Sequence, residues 1–299
     1  MKLVRFAVPR KQSYGVMAKD RVICLPALAK ALCQPFPSTI EAAVSAGIRE
    51  VHIEKLLQKA TKAVFEEAVW PLQKVQLLAP IAKPPKIVCL GLNYRDHAAE
   101  QGKLPAEEPI IFMKPSTAII GPNEDVIKPC FVEQLDYEAE LAVIIGKRSK
   151  NISVKDAEMC IFGYTVFNDV SARDIQFRDT QWTRGKCFDT FAPTGPCITL
   201  ADQIADPANL QVRTWINREL RQNSNTNNMV FNVYQIVHNI SWGMTLEPCD
   251  IIATGTPAGV GFAMKPEPKF LKNGDLIEIE IESIGTLRNR VAEQYRVHC

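Results

Sequence analysis

The chain has 299 residues, 46% hydrophobic and 23% charged, with a formal net charge of +2. That length holds one large domain or two modest ones around a sizeable core. Lys and Arg are spread along the chain, which leaves no electrostatic case for nucleic acid or a membrane surface as partner. No apolar run approaches the roughly 20 residues needed to span a bilayer.

In chain order, Lys2–Val8 reads as a strand and Lys19-Asp20 as a hairpin turn between two apolar runs. Residues 1–19 carry five Lys or Arg and no acid, as a mitochondrial presequence does. The strand pattern argues instead that a domain begins at once. The expected location is mitochondrial or cytoplasmic, with no secretory signal. Helices are predicted around Thr39–Ala46 and Ile53–Ala68, and Pro80 with Lys83-Pro84-Pro85 marks a junction. The division expected is a small N-terminal domain over residues 1–80 and a larger one over 81–299.

Beyond the junction, Lys86–Leu90, Ile110–Met113, Tyr137–Ile145, Tyr164–Val170, Cys197–Leu200, Leu210–Ile216, Asp250–Ala253 and Asp275–Ser283 read as strands. Asn217-Arg218 reads as a tight turn. Asn93 is placed to cap a short helix carrying His97 and Glu100. Val154–Cys160 and Val233–Trp242 are the other helical candidates. Many short strands with few helices point to a β-rich α+β domain. The strand–helix alternation of a doubly wound sheet is missing. Nine cysteines, with no Cys-x-x-Cys pair, read as reduced, mostly core thiols in a reducing compartment.

The strongest local signal is Asp136-Tyr137-Glu138-Ala139-Glu140, followed by a run apolar on both faces. Side chains alternate along a strand, so Glu138 and Glu140 share a face. Two carboxylates at the mouth of a buried strand repel each other and lose hydration, so they need a shared proton, salt bridges or a divalent cation. Asp169 ends a second apolar strand. Three carboxylates without His or Cys suit Mg²⁺, Mn²⁺ or Ca²⁺ rather than zinc. The alternative is a solvated strand face.

His97 and Glu100 stand three apart, a spacing that makes either an oriented general base or a surface pair. Arg173 and Gln176 have the same spacing, with a guanidinium fork suited to a carboxylate. Lys186 has no role that spacing alone assigns. The turn-rich Thr254–Gly261 segment is either a backbone cradle for an oxyanion or a plain turn.

Together these segments resemble the fumarylacetoacetate hydrolase family. The matching pieces are Gly91-Leu92-Asn93-Tyr94 with His97 and Glu100, Asp136-Tyr137-Glu138-x-Glu140, Asn168–Asp174, Gly185-Lys186-x-Phe188-Asp189 and Thr254-Gly255-Thr256-Pro257-x-Gly259-Val260, in family order. The domain-containing protein 2 subgroup is the nearest in pattern. The resemblance implies a mixed β-sandwich roll as catalytic domain, a small N-terminal domain and a homodimer. It implies Mg²⁺ or Mn²⁺ on Glu138, Glu140 and Asp169, and an acid–base pair of His97 and Glu100 on a mobile lid. It further implies a catalytic Lys186 and substrate contacts from Arg173, Gln176 and Thr256. The activity implied is oxaloacetate keto–enol tautomerisation, acting on a small 2-oxo dicarboxylic acid through an enolate at the metal. Acylpyruvate-type carbon–carbon hydrolysis and oxaloacetate decarboxylation are the family's alternatives. A metal-binding dimer without catalysis is the reading from another class.

Overall fold

The run after Glu140 is apolar on both faces because it lies in the middle of a sheet covered on both sides. Ala139–Ile145 pairs antiparallel with Ile161–Asn168 on one edge and with Ile251–Ala253 on the other. Leu141, Val143 and Ile145 enter one apolar cluster, while Ala142 and Ile144 enter another. The first cluster joins this sheet to a five-stranded sheet through Val212, Ile277, Ile279 and Leu287, and takes in Ile236 and Ile240 of the helix Val233–Ser241. The second joins it to the N-terminal segment through Leu25, Leu28, Ala43 and Ile53. The computed structural model describes residues 1–9 and 11–294. The last five residues of the expected second domain therefore lie outside the described residues.

The large sheet has twelve strands and is mixed. Its N-terminal strands, Lys2–Val8 and Lys11–Ala18, continue it by pairing Lys2–Val8 with Ala192–Leu200. Ile251–Ala253 runs parallel to Ile87–Gly91, which pairs antiparallel with Ile110–Lys114. The second sheet runs in the order Glu219–Asn225, Gln211–Ile216, Leu276–Ile281, Gly285–Glu293, Asp125–Lys128. This is the β-rich α+β sandwich roll with an N-terminal domain that the resemblance implies.

Local differences from the sequence expectation have local causes. The expected helix over 53–68 is two helices, Glu50–Gln58 and Lys62–Glu67, because Thr61 Oγ1 caps the second by accepting from Val64 N at 3.5 Å. Leu25–Ala31 is a further helix, with Pro26 in its first turn, where proline costs no hydrogen bond. Val154–Cys160 contains only a short 3₁₀ turn, Ala157–Cys160. Asn93 is not a cap: Tyr94 holds that position, and the Asn93 amide donates to Thr254 O at 2.7 Å and Phe231 O at 3.1 Å. The strand Glu219–Asn225 escapes hydrophobic pattern reading because its side chains are mostly polar. The Asn217-Arg218 turn that leads into it has both residues at positive φ, 50° and 72°, the geometry of a two-residue hairpin. Among the described residues seven cysteines are free, five of them buried; Cys130 is not one of the seven.

Candidate active site

Sheet register builds the floor of the site. Ala139 is paired with Asn168, and Asp169 N donates to Glu138 O at 2.9 Å, so Glu138 and Asp169 leave neighbouring strands side by side. Glu140 follows two residues on, on the same face as Glu138. Ligand oxygens of Glu138, Glu140 and Asp169 all lie within 4.8 Å of one another, and all three residues are buried.

So much negative charge away from water needs cations. Lys186 Nζ lies 2.9 Å from Glu138 Oε2 and 2.6 Å from Asp169 Oδ2. Lys114 Nζ lies 2.5 Å from Asp169 Oδ1, and Arg173 Nη1 lies 2.7 Å from Glu138 Oε1. Burial opposes ionisation of Glu138, but Lys186 and Arg173 outweigh it and hold the pKa at about 2. For Lys186, burial works against the charge and Asp169 and Glu138 overcome it, leaving the ammonium more basic than usual.

Glu140 is different. Burial, then Asp169 and Glu138, raise its pKa well above the ordinary carboxylate value. Gly255 N donates to Oε2 at 2.9 Å, while Oε1 is buried with no hydrogen-bond partner. A buried carboxylate oxygen left bare is costly unless a proton or a cation takes it. Three converging carboxylates with that bare oxygen, and no His or Cys among them, fit a hard divalent cation such as Mg²⁺ or Mn²⁺.

A cavity of about 110 Å³ lies against this floor, lined among others by His97, Glu138, Arg173, Gln176, Lys186 and Thr256. The structure thus brings together every residue singled out for the site. A larger groove, about 810 Å³, runs past Lys128, Arg221 and Lys269 and contains none of them. Arg173 and Gln176 share one turn of the helix Arg173–Arg178, and Arg173 Nη1 donates to Gln176 Oε1 at 2.9 Å. Arg173 Nη2 is buried and has no partner, a free donor for a ligand carboxylate. Thr256 Oγ1 accepts from Gln222 Nε2 at 2.9 Å, which leaves its own O–H to donate.

The rim is local in origin. On the helix Arg95–Glu100, His97 Nδ1 stands 2.5 Å from Glu100 Oε1, and Gly259 N donates to Glu100 Oε2 at 2.9 Å. A proton on Nδ1 shared with the carboxylate leaves Nε2 as the basic nitrogen. Gln101 Nε2 stands 2.9 Å from that nitrogen.

Several residues here lack a sequence-level assignment. Lys114 has a signal: a lysine closing the apolar strand Ile110–Lys114, and only 3% exposed. Asp136, inside the quoted motif, accepts from Arg173 Nε at 2.9 Å, Gly261 N at 2.7 Å and Phe262 N at 3.1 Å. It aims the guanidinium and anchors the loop whose Phe262 ring lies 4.5 Å from the Arg173 carbon. Gln222 lies on the polar strand and bears no pattern that marks it.

Residues 86–292 match the fumarylacetoacetate (FAA) hydrolase C-terminal model, and residues 1–80 match the Rv2993c-like N-terminal model. The chain belongs to the fumarylacetoacetate hydrolase family. Among its relatives, the mitochondrial oxaloacetate tautomerase FAHD2B of Bos taurus is 48% identical over 225 residues, 75% of this chain and 71% of that protein. The fumarylacetoacetate hydrolase of the psychrophile Exiguobacterium antarcticum superposes with a TM-score of 0.83 at 36% identity, over 98% of this chain and all of the other. Maleylpyruvate hydrolase of Sphingobium sp. SYK-6, solved with manganese(II) and pyruvate, does so with a TM-score of 0.77 at 32% identity, over 98% and 99%. As a fumarylacetoacetate hydrolase family member with such relatives, the protein is an enzyme of the tautomerase or hydrolase kind.

Proposed function

We propose that the protein is an oxaloacetate keto–enol tautomerase that uses Mg²⁺ or Mn²⁺ held by Glu138, Glu140 and Asp169. The observation that carries this reading is the bare, buried Glu140 Oε1 within a three-carboxylate cluster whose Glu138 lines a cavity that also presents a carboxylate-oriented imidazole. When bound, the ion supplies Lewis-acid polarisation of the 2-oxo group.

The protein's own groups do the rest. Arg173 Nη2 and Gln176 take the substrate's first carboxylate. Lys186, with Lys114 behind it, places fixed positive charge where enolate charge develops. Thr256 O–H donates to a substrate oxygen. His97 Nε2, oriented by Glu100, removes a proton from C3 of the keto form and delivers it to the 2-oxygen to give the enol, and the reverse direction runs through the same two transfers. Gln101 must swing away from Nε2 for that transfer. The cavity is far below the roughly 300–1,000 Å³ of pockets for drug-sized ligands, which favours a four-carbon acid over fumarylacetoacetate. The Bos taurus relative carries the tautomerase name, and a homodimer and mitochondrial location belong to the same proposal.

Enol decay of oxaloacetate followed by ultraviolet absorbance tests the reading. Catalysis is expected with Mg²⁺ or Mn²⁺ and its loss in Glu140→Gln; a variant running at the wild-type rate sinks the proposal. Pyruvate release from acetylpyruvate at a comparable rate would transfer the assignment to hydrolysis.

A further inference from the structure

We infer that Lys103 reads the distal carboxylate of the substrate and makes the site selective for 2-oxo diacids over 2-oxo monoacids. This deepens the proposal above and rests on it. The buried part of the site holds four carboxyl groups, on Asp136, Glu138, Glu140 and Asp169, against three cations, on Lys114, Arg173 and Lys186. Those cations are already engaged: Lys186 with Glu138 and Asp169, Lys114 with Asp169, Arg173 with Asp136 and Glu138. Among their nitrogens, Arg173 Nη2 alone has no hydrogen-bond partner and is open to one carboxylate, while Lys114 and Lys186 each already hold two acceptors. A diacid brings a second, and its negative charge needs a partner of its own.

Lys103 also lines the cavity. Its ammonium touches Gln101 Oε1 at 3.1 Å and forms no ion pair with any carboxylate among the described residues. Its place is set by backbone rather than by a loose loop. The helix Arg95–Glu100 ends in a Schellman turn: Gly102 N donates to Ala99 O at 3.0 Å, Lys103 N donates to Ala98 O at 2.9 Å, and Gly102 takes φ of +66°. The turn that closes the helix bearing His97 and Glu100 therefore also brings Lys103 to the cavity mouth. Gln101 lies between them, with its oxygen on Lys103 and its nitrogen on His97 Nε2. A distal carboxylate drawn to Lys103 competes for the ammonium that steadies Gln101, and so favours release of the imidazole.

The test is binding, separate from turnover. Mn²⁺-loaded protein is titrated calorimetrically with oxaloacetate and with 2-oxosuccinamate, which replaces the distal carboxylate by a neutral amide of similar size. The wild type is expected to bind the diacid about tenfold more tightly, the worth of one charge-assisted hydrogen bond. Lys103→Met should bring the two affinities together without weakening 2-oxosuccinamate, and Lys103→Arg should keep most of the preference. The inference is overturned if the wild type shows no preference or if Lys103→Met retains it. A wild type with the preference but no tautomerisation keeps this inference and removes the tautomerase reading; turnover without preference does the reverse.

Discussion

The floor and the rim of the cavity are built by opposite means. The floor is non-local: Glu138 with Glu140, Asp169, Lys114 and Lys186 come from four separate segments and are held by strand pairing and burial. The rim is local: His97, Glu100, Gln101 and Lys103 span one short helix and its closing turn. The floor is rigid and electrostatically strained, suited to holding an ion. The rim is tied down by side-chain hydrogen bonds rather than by sheet pairing: Gly259 N donates to Glu100, Arg95 Nη1 to Met229 O at 2.6 Å, and Ser224 Oγ and Asn228 Nδ2 to the Asp96 carboxylate.

That contrast can be broken at several points. The largest effect is expected at the rim on rate alone: His97→Gln should lower kcat by about 10²–10⁴-fold while leaving the thermal midpoint nearly unchanged. A matching loss of stability would mean that His97 is structural. Asp136→Ala reverses the pattern. It leaves Arg173 buried beside fewer carboxylates and should cost about 3–5 kcal/mol in urea unfolding. A cost below about 1 kcal/mol would show that Glu138 alone holds the guanidinium.

Glu140→Gln separates ion binding from folding. Wild-type protein with Mn²⁺ at a hundred times its dissociation constant should gain about 2.7 kcal/mol of stability. The variant should gain little, yet be no less stable than wild type without the ion, because Glu140 is an uncomfortable buried carboxyl. The smallest effect is protonic. The raised Glu140 pKa means that the metal-free fold keeps a proton that the unfolded chain loses near the ordinary carboxylate value. That proton's stabilisation is present on the acid side and fades as pH rises through the folded pKa. Loading Mn²⁺ below that pKa should expel about one proton per ion, seen calorimetrically in buffers of different ionisation heat. Glu138, already ionised down to about pH 2, should add nothing to the release.

Much of the rim was legible because its chemistry lies within one helical turn. His97 with Glu100, and Arg173 with Gln176, announce themselves by a spacing of three. Glu138 and Glu140 were legible for the parallel reason in a strand, where alternate residues share a face. The link from Glu138 to Asp169 was suggested by two buried strands, but only the pairing of Ala139 with Asn168 makes them neighbours. Lys114 and Gln222 stayed hidden because each acts on segments far away in sequence: Lys114 on Asp169, Gln222 on Thr256. Helix boundaries failed where Thr61 capped a new start inside one apolar pattern.

By itself, then, the order of residues determined the strand that is apolar on both faces, the paired acids at its mouth, the imidazole–carboxylate pair and the family to which they belong. Those are properties of periodicity and short spacing, written into neighbouring side chains. Tertiary structure decided which cations neutralise the acids, which oxygen of Glu140 is left bare, and that Lys103 faces the same cavity as Arg173. These depend on sheet register and on burial, and no local pattern carries that information.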